Sequence, residues 1–317
     1  MPTDFDAGAL AALAPPLFRL MATMAVSLVI AQALEAFGWT AWVAGLASPL
    51  VRFARLSPVS GAAFSLSFAS PASANALLGE GLATGVIGRK ELVLANIINS
   101  TPVFLLHLPS MLATAYAFLG SSAGSYAGLV FLATALRTAG AVCVSRALLP
   151  RRAAPTREPA PENRAGTLAT MFSRFRKRLT RICLFTVPVY CLVFILQKAG
   201  VFTSVERFFA AHAGTLFFLH PGSIGIVVLF FATDSNAAFA AAAALIHGGT
   251  VSPEQAVLAL LVGNIFSSPM RAFRHQLPSY AGFFSPRAAL LLVGVNQSLR
   301  AATLAVVALL FYMSVAL

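Results

Sequence analysis

Two stretches of the sequence place hydroxyl, amide and carboxylate side chains inside otherwise apolar segments. The first runs from Phe64 to Ser110 and the second from Leu229 to Ser279. Where a helix is broken at membrane depth, exposed N–H groups favour anions or polar oxygens, and exposed carbonyls favour cations. A carboxylate at that depth usually marks an ion pathway or a paired charge. The chemistry predicted for both stretches is the binding of a solute or ion.

The candidate substrate- or ion-binding residues lie at predicted helix breaks. In the first stretch they are Ser70, Ser73, Asn75, Asn96, Asn99, Ser100 and Thr101. In the second they are Thr233, Asp234, Ser235, Asn236, Asn264, Ser267 and Ser268. An alternative interpretation is that these side chains only cap helix ends or bond between helices. For Asp234, which precedes the predicted helix 237–246, cap and ligand are compatible roles.

Basic residues follow the second break. Arg271 and Arg274 lie one turn apart, with His275 beside them. Directed inward they predict an anionic substrate, and directed to the cytoplasmic interface they are topology signals. His107 occupies a position similar to that of His275, so either imidazole is a candidate proton relay. Cys143, Cys183 and Cys191 are interpreted as packing residues, and no metal site is predicted.

The two stretches resemble each other in order. Phe68-Ala69-Ser70 precedes Phe231-Ala232-Thr233 by 163 residues, and the same offset pairs Glu91 with Glu254. Further along, Asn96-Ile97 pairs with Asn264-Ile265, and Leu108-Pro109-Ser110 with Leu277-Pro278-Ser279. This ordered set predicts an internal duplication.

Composition places the chain in a bilayer. Of its 317 residues, 58% are hydrophobic and 10% are charged, which a water-soluble core could not accommodate. The acidic residues near the N-terminus argue against a cleavable signal peptide. The net charge of +12 is concentrated in a proline- and arginine-rich linker, so it indicates topology rather than nucleic-acid binding.

The predicted fold is an all-α polytopic membrane protein made of two inverted-topology repeats, 1–149 and 182–317. They are joined by a basic cytoplasmic linker and juxtamembrane helix, 150–181. Each repeat has three spans, one of them broken, with an interfacial helix and a re-entrant helical hairpin. The first repeat is predicted to contain a span at 17–34, an interfacial helix at 39–56, a hairpin at 59–88, a broken helix from 92 interrupted at 99–102, and a span at 125–149. The second is predicted to contain a span at 182–201, an interfacial helix at 204–212, a hairpin at 224–247, a helix from 254 broken at 267–269, and a span at 288–314.

The inverted arrangement places both termini outside and the linker inside a cytoplasmic (inner) membrane of bacterial type. Gly120, Gly124 and Gly128, at four-residue spacing, predict close helix packing. No nucleotide-binding loop, zinc-binding helix or nucleophile–base pair is present, so the chain is not expected to be an enzyme.

The hairpins SFASPASANALL and FFATDSNAAFAA, with the broken helices NIINSTP and NIFSSP, resemble the nucleoside-recognition, or Gate, domain family. That family is shared in outline by concentrative nucleoside transporters, the membrane part of ferrous-iron permeases and spore-maturation membrane proteins. The resemblance implies an elevator mechanism, often coupled to sodium. Those nucleoside transporters carry an acidic signature in both hairpins, and this signature is not evident in the chain.

The function expected from these features is secondary transport of a small polar solute, nucleoside-like or anionic, through a site between two hairpins and two broken helices. The expected partners are the lipid bilayer, the solute or ion and a second copy of the chain. No nucleic acid and no cofactor is expected, and sodium or protons are the candidate coupling ions. Two alternatives are a non-transporting membrane assembly or signalling protein of the same family and a metal-ion permease.

Overall fold

The computed structural model of this chain is helical, with no strand among the residues it describes. Those residues are 48–150, 199–212, 218–232 and 235–316, with scattered positions from 14 to 29 and from 176 to 196. Much of the predicted first span of each repeat, most of the first interfacial helix and of the linker segment, and Thr233 and Asp234 lie outside them. The all-helical class is therefore confirmed for the described part of the chain.

Among the described residues before the linker, the bounds of six helices are defined. They are α1 (Ser48–Ala54), α2 (Pro58–Leu66), α3 (Pro71–Ala83), α4 (Arg89–Ile98), α5 (Ser100–Leu119) and α6 (Ser122–Leu148).

Among the described residues after the linker, the bounds of six more helices are defined. A 3₁₀ turn (Pro221–Ser223) and a π-helical segment (Ala272–Gln276) also occur there. They are α7 (Val201–His212), α8 (Ile224–Ala232), α9 (Ser235–His247), α10 (Pro253–Arg271), α11 (Leu277–Phe283) and α12 (Pro286–Ala316).

The first predicted hairpin consists of two short helices, α2 and α3, that pack against each other on either side of a turn. Each helix starts with proline after a serine N-cap, because proline's fixed φ suits the first helical position and the serine oxygen accepts a free N–H. Ser57 Oγ accepts from the Ser60 N–H at 3.2 Å, and Ser70 Oγ accepts from the Ser73 N–H at 3.2 Å. The Ser70-Pro71 pair, within the predicted hairpin 59–88, therefore lies at a helix start.

The predicted break near Asn99 is a change from one helix to the next over a single residue. Helix α4 ends at Ile98 with Asn99 as its C-cap, and α5 starts at Ser100. Pro102 follows in the first turn of α5, where its missing N–H removes no helical hydrogen bond. Together the two helices form one membrane-length element, Arg89–Leu119.

The break predicted at Ser267-Ser268-Pro269 is wrong in position. Helix α10 continues through Pro269 to Arg271, and the irregularity follows as the π-helical segment. The proline removes one backbone donor without ending the helix, and a wider turn just beyond it accommodates the change in register. Short π segments of this kind occur frequently at functional sites.

Four helical stretches of the described chain are long and apolar enough to cross a membrane. They are Arg89–Leu119, Ser122–Leu148, Pro253–Phe283 and Pro286–Val315. The second and fourth agree closely with spans expected from the sequence. Helices α8 and α9 lie within the predicted hairpin 224–247, on either side of positions 233–234, and neither is long enough to span a bilayer.

The chain forms two compact units, and each takes residues from both halves of the sequence. Unit 1 comprises Met1–Leu106, Thr138–Leu192 and Gln276–Val293, and unit 2 comprises His107–Arg137, Val193–His275 and Gly294–Leu317. In unit 1, the core packs Leu78 and Leu92 with Phe284 and Leu292. Gly79 is essential to this packing, since an added Cβ would lie 2.5 Å from the backbone oxygen of Phe283.

Unit 2 packs α8 and α9 against α10. The rings of Phe230 and Phe239 are buried with Leu260 and Leu261, and the two rings meet edge to face at 6.4 Å. Helices α8 and α10 approach closely at Gly263, where an added Cβ would lie 2.7 Å from Cβ of Phe230. A close helix contact at a small residue is therefore found on α10.

The glycine motif near the start of α6 does not form the contact predicted for it within the described chain. A Cβ added at Gly124 or Gly128 would meet no described atom within 4 Å. Gly120 instead has φ of +55° in the turn between α5 and α6, a conformation that glycine adopts without steric cost.

Candidate functional site

In unit 1, the candidates Asn96, Asn99, Ser100 and Thr101 lie where α4 passes into α5. Asn96 is buried near the end of α4, and its Nδ2 donates a hydrogen bond to the hydroxyl of Tyr280 at 3.2 Å. This bond joins residues 184 positions apart in the sequence. It attaches the end of α4 to α11, which follows the π-helical segment.

Asn99 is the polar group of this region that has no partner. Its side chain is 5% exposed, and neither Oδ1 nor Nδ2 forms a hydrogen bond with any described residue. A buried amide left unpaired costs about 1–3 kcal/mol. The end of α4 therefore presents one acceptor and two donors to whatever polar group reaches it.

The hydroxyl candidates of unit 1 form hydrogen bonds within the fold. Ser70 and Ser73 share a hydrogen bond between hydroxyls at 2.9 Å, besides the cap on α3. Ser100 Oγ donates to the carbonyl of Ile97, and Thr101 shares a hydrogen bond of 2.7 Å with Thr138. For these hydroxyls the geometry favours the capping and interhelical role. Asn75 is buried on α3.

In unit 2, the candidates gather around Asn264, which is 4% exposed in the middle of α10. Its Nδ2 donates to the hydroxyl of Tyr126 at 3.1 Å. Its Oδ1 accepts from Arg271 Nη2 at 3.2 Å and from Arg300 Nη2 at 3.0 Å. Because a guanidinium can only donate, these partners also fix which end of the amide is oxygen.

Both guanidinium groups of this cluster are half-buried. Arg271 lies at the end of α10, and its Cζ lies 5.2 Å from the centroid of the Phe230 ring, within range of a cation–π contact. Arg300 lies on α12 and, among the described residues, forms no ion pair. The side chain of Arg271 thus contacts Asn264 and Phe230 within unit 2.

One turn further along α10, Ser268 Oγ donates to Gln297 Oε1 at 2.6 Å. Ser267 is buried, and its Oγ lies 3.4 Å from the Asn264 carbonyl. Both serines precede Pro269, so their side chains bond to polar groups at the point where the helix lacks a backbone donor. These contacts join α10 to α12 beside the Asn264 cluster.

The remaining candidates are less enclosed. Ser235 and Arg274 are half-buried, and Asn236, His107 and His275 are exposed. Exposure of both imidazoles does not favour a buried proton relay. Thr233 and Asp234 lie outside the described residues, so the predicted role of that carboxylate stays a prediction.

Sequence reasoning missed four residues that complete the two clusters. These are Tyr126, Tyr280, Gln297 and Arg300. Tyr126, Gln297 and Arg300 lie on the long helices α6 and α12, and Tyr280 lies on the short helix α11. All four are away from the predicted breaks, and no spacing pattern marks them. Arg300 had one available signal, because a cation in the middle of an apolar span is costly and usually functional.

A separate cavity of about 280 Å³ lies in unit 2 between α10 and α12. It is lined by Phe218, His220, Glu254, Leu258 and Tyr312 among others, and by no predicted site residue. Among the described residues there is no group of three or more His, Cys, Asp or Glu side chains placed to hold a metal ion.

The described part of the chain is all-helical, with four helical stretches of membrane-spanning length and two buried polar clusters, one where α4 passes into α5 and one around Asn264 on α10. The chain is similar to the uncharacterized protein MJ0871 of Methanocaldococcus jannaschii, with 25% identity over 262 residues that cover 81% of each chain. No protein-family model matches the chain. No solved structure matches it.

Proposed function

We propose that this chain is a secondary transporter or permease that carries a small polar solute, nucleoside-like or anionic, across a cytoplasmic membrane. The observation that carries the proposal is the unpartnered, 5% exposed amide of Asn99. It lies in the membrane-length element Arg89–Leu119, at the residue where one helix ends and the next begins.

Hydrocarbon cannot supply a hydrogen bond, so a buried polar group in a bilayer must be satisfied by protein, water or a solute. A purely structural asparagine would bond to the backbone or to a neighbouring side chain, as Asn96 does with Tyr280. Asn99 does neither within the described chain, and a passing polar solute can make these bonds.

The resemblance to Gate-domain proteins supports the same proposal. It implies an inverted repeat, alternating access of the elevator type, and coupling to sodium or protons. In that arrangement the linker 150–181 is cytoplasmic and both termini are outside. Buried polar residues from both halves of the sequence agree with the way inverted-repeat transporters build their sites.

The test is uptake into proteoliposomes containing the full-length protein. Labelled nucleosides and small organic anions are offered under inward gradients of sodium or protons. Asn99→Leu keeps the branching of the side chain and removes both polar atoms, so it should reduce uptake at least about tenfold through the loss of one or two hydrogen bonds. The matched control is Ser110→Ala, an exposed change on the same element, which should transport like the unaltered protein.

Unchanged uptake by folded Asn99→Leu would remove this residue from the pathway. Absence of uptake by the unaltered, folded protein, for both solute classes and both gradients, would overturn the transport proposal itself. That result would favour an assembly or signalling role.

A further inference from the structure

We propose that one end of unit 1 carries a binding surface for the phosphate groups of anionic membrane lipids. The surface, which we call the basic rim, is formed by Arg52, Arg55, Arg89, Lys90 and Arg146. The inference goes beyond transport, because it requires only that the chain lies in a bilayer, as its four long apolar helical stretches indicate.

Contacts between α1 and α6 bring three of these arginines together. Ser145 Oγ donates to the carbonyl of Ala54 at 2.6 Å, and Arg55 Nη1 donates to the carbonyl of Leu149 at 3.2 Å. The two bonds hold the end of α1 against the end of α6. The arginines at the end of α1 therefore lie beside Arg146 of α6.

The start of α4 adds two more cations. The backbone N–H of Ser57, which follows Arg55 by two residues, donates to Glu91 Oε1 at 2.7 Å. Arg89 and Lys90 precede Glu91 in the first turn of α4, and both are exposed. The ends of α1 and α6 and the start of α4 thus meet at one end of unit 1.

The basic rim is positive even when the acids near it are counted. Glu91 is buried and accepts from Ser57 and Ser60, and Glu80 lies near the end of α3. Five cations against these two carboxylates leave an excess of three positive charges. The rim lies directly before the linker 150–181, which the proposed topology places in the cytoplasm. Basic clusters at that face of a membrane attract anionic lipid head groups.

Exposed apolar side chains border the basic rim. Phe53 is 49% exposed, and the guanidinium carbon of Arg146 lies 4.5 Å from the centroid of its ring. Val144 and Leu148, on either side of Arg146 in the sequence, are 46% and 58% exposed. A soluble phosphate gains nothing from apolar neighbours, whereas a phospholipid offers a phosphate next to its acyl chains. The combination therefore favours a lipid as the occupant.

Two cations of the rim are held in position by backbone carbonyls. Arg55 has φ of +56°, a left-handed conformation that arginine rarely adopts, and its guanidinium is bonded to α6. Arg146 Nη1 donates to the carbonyl of Phe53 at 3.4 Å. Because these side chains are already oriented, less entropy is lost when a head group binds.

The test measures the effect of lipid on the purified full-length protein and requires no transport. Thermal unfolding is followed in neutral maltoside micelles as the mole fraction of phosphatidylglycerol, or of phosphatidylcholine with the same acyl chains, is raised. Phosphatidylglycerol should raise the unfolding midpoint in a saturable way and by more than phosphatidylcholine does. Added salt should reduce the difference, because exposed charges are screened.

Variants of the exposed cations locate the effect. Arg52→Gln should raise the half-saturating mole fraction of phosphatidylglycerol about fivefold, and the triple variant Arg52→Gln, Arg89→Gln and Lys90→Gln about 100-fold. These side chains are exposed, so their replacement leaves the core of unit 1 intact. Arg52→Lys combined with Arg89→Lys keeps the charge and should retain the preference for phosphatidylglycerol. The matched control is Arg207→Gln, an exposed arginine of α7 in unit 2, which should respond like the unaltered protein.

Equal stabilisation of the unaltered protein by the two lipids would overturn the inference. An unchanged response of the triple variant to phosphatidylglycerol would also overturn it. If Arg207→Gln weakens the response as much as Arg52→Gln does, the attraction comes from overall charge and the basic rim is not a site. If inorganic phosphate raises the midpoint through Arg52 as strongly as the lipid does, the surface binds a soluble phosphate and the lipid assignment is wrong. Should the triple variant not fold, the comparison of Arg52→Gln with Arg207→Gln decides.

Discussion

Asn99 and Asn264 are both buried asparagines in membrane-length helical elements, and their amide groups are in opposite situations. Asn99, in unit 1, forms no side-chain hydrogen bond with any described residue. Asn264, in unit 2, bonds to Tyr126, Arg271 and Arg300. The first amide has all of its hydrogen-bonding capacity to offer, and the second has used its capacity to hold other groups in place.

The difference shows that burial of a polar side chain does not by itself define its role. In unit 1 the group left to meet a solute is neutral and can both donate and accept. In unit 2 the amide oxygen of Asn264 accepts hydrogen bonds from two guanidinium groups, so positive charge lies beside it.

The largest expected effect is that one substitution has opposite consequences at the two asparagines. Asn264→Leu removes the acceptor of two charged donors, each such bond being worth about 1.5–3 kcal/mol, so unfolding should become easier by about 3 kcal/mol or more. Asn99→Leu removes an unsatisfied amide, and its stability should be unchanged or higher. Thermal unfolding of the detergent-solubilised variants measures both.

Ser110→Ala, exposed on the same element as Asn99, gives the background for a harmless change. If Asn99→Leu is destabilised as strongly as Asn264→Leu, Asn99 has a structural partner and the contrast between the units is lost. If Asn264→Leu unfolds like the unaltered protein, the arginine cluster does not stabilise the fold.

The fold could be predicted from the sequence to the extent that local chemistry determines it. The Ser-Pro pairs at Ser57 and Ser70 mark the helix starts that the structure shows, and the long apolar runs give the spans ending at Leu148 and Ala316. The position of the break near Pro269 could not be predicted in this way. Whether a helix ends at a proline or continues past it depends on tertiary neighbours such as Gln297, which local sequence does not contain.

For the hydrogen bonds of the candidate site, the sequence predicts the residue near a break and not its distant partner. Polar residues beside a break, such as Asn99 and Asn264, stand out in the sequence. The partners of Asn264, Tyr126 and Arg300, come from 138 and 36 residues away, and Tyr280, the partner of Asn96, comes from 184 residues away. No local pattern connects them. The glycines of α6 show the opposite case, because their spacing predicts a contact that is not found among the described residues.

The next effect compares two glutamates that the predicted duplication pairs. Glu91 is 3% exposed, and its Oε1 accepts from the Ser57 N–H at 2.7 Å and from Ser60 Oγ at 2.9 Å. Glu91→Ala leaves both donors of the α2 start without this partner, so stability should fall by about 2 kcal/mol. Glu254 is exposed at the start of α10, and Glu254→Ala should change stability by no more than about 0.5 kcal/mol.

Unfolding midpoints of the two alanine variants, measured side by side, check this pair. Equal losses of stability would show that the two carboxylates have the same role and that burial of Glu91 adds no stability. Glu91→Gln retains the acceptor oxygen and removes the charge. Its unfolding midpoint should lie between those of Glu91→Ala and the unaltered protein.

The smallest expected effect separates capping from binding at Ser70. Ser70 caps α3 in unit 1, and Ser252 caps α10 in unit 2 through a reciprocal bond with Gln255. Alanine at either position should cost about 1 kcal/mol, the usual loss of an N-cap. If Ser70 only caps, Ser70→Ala and Ser252→Ala should show similar losses of stability and similar, small changes in uptake. A selective loss of uptake in Ser70→Ala, at a stability equal to that of Ser252→Ala, would contradict the capping role and return this hydroxyl to the binding residues beside Asn99.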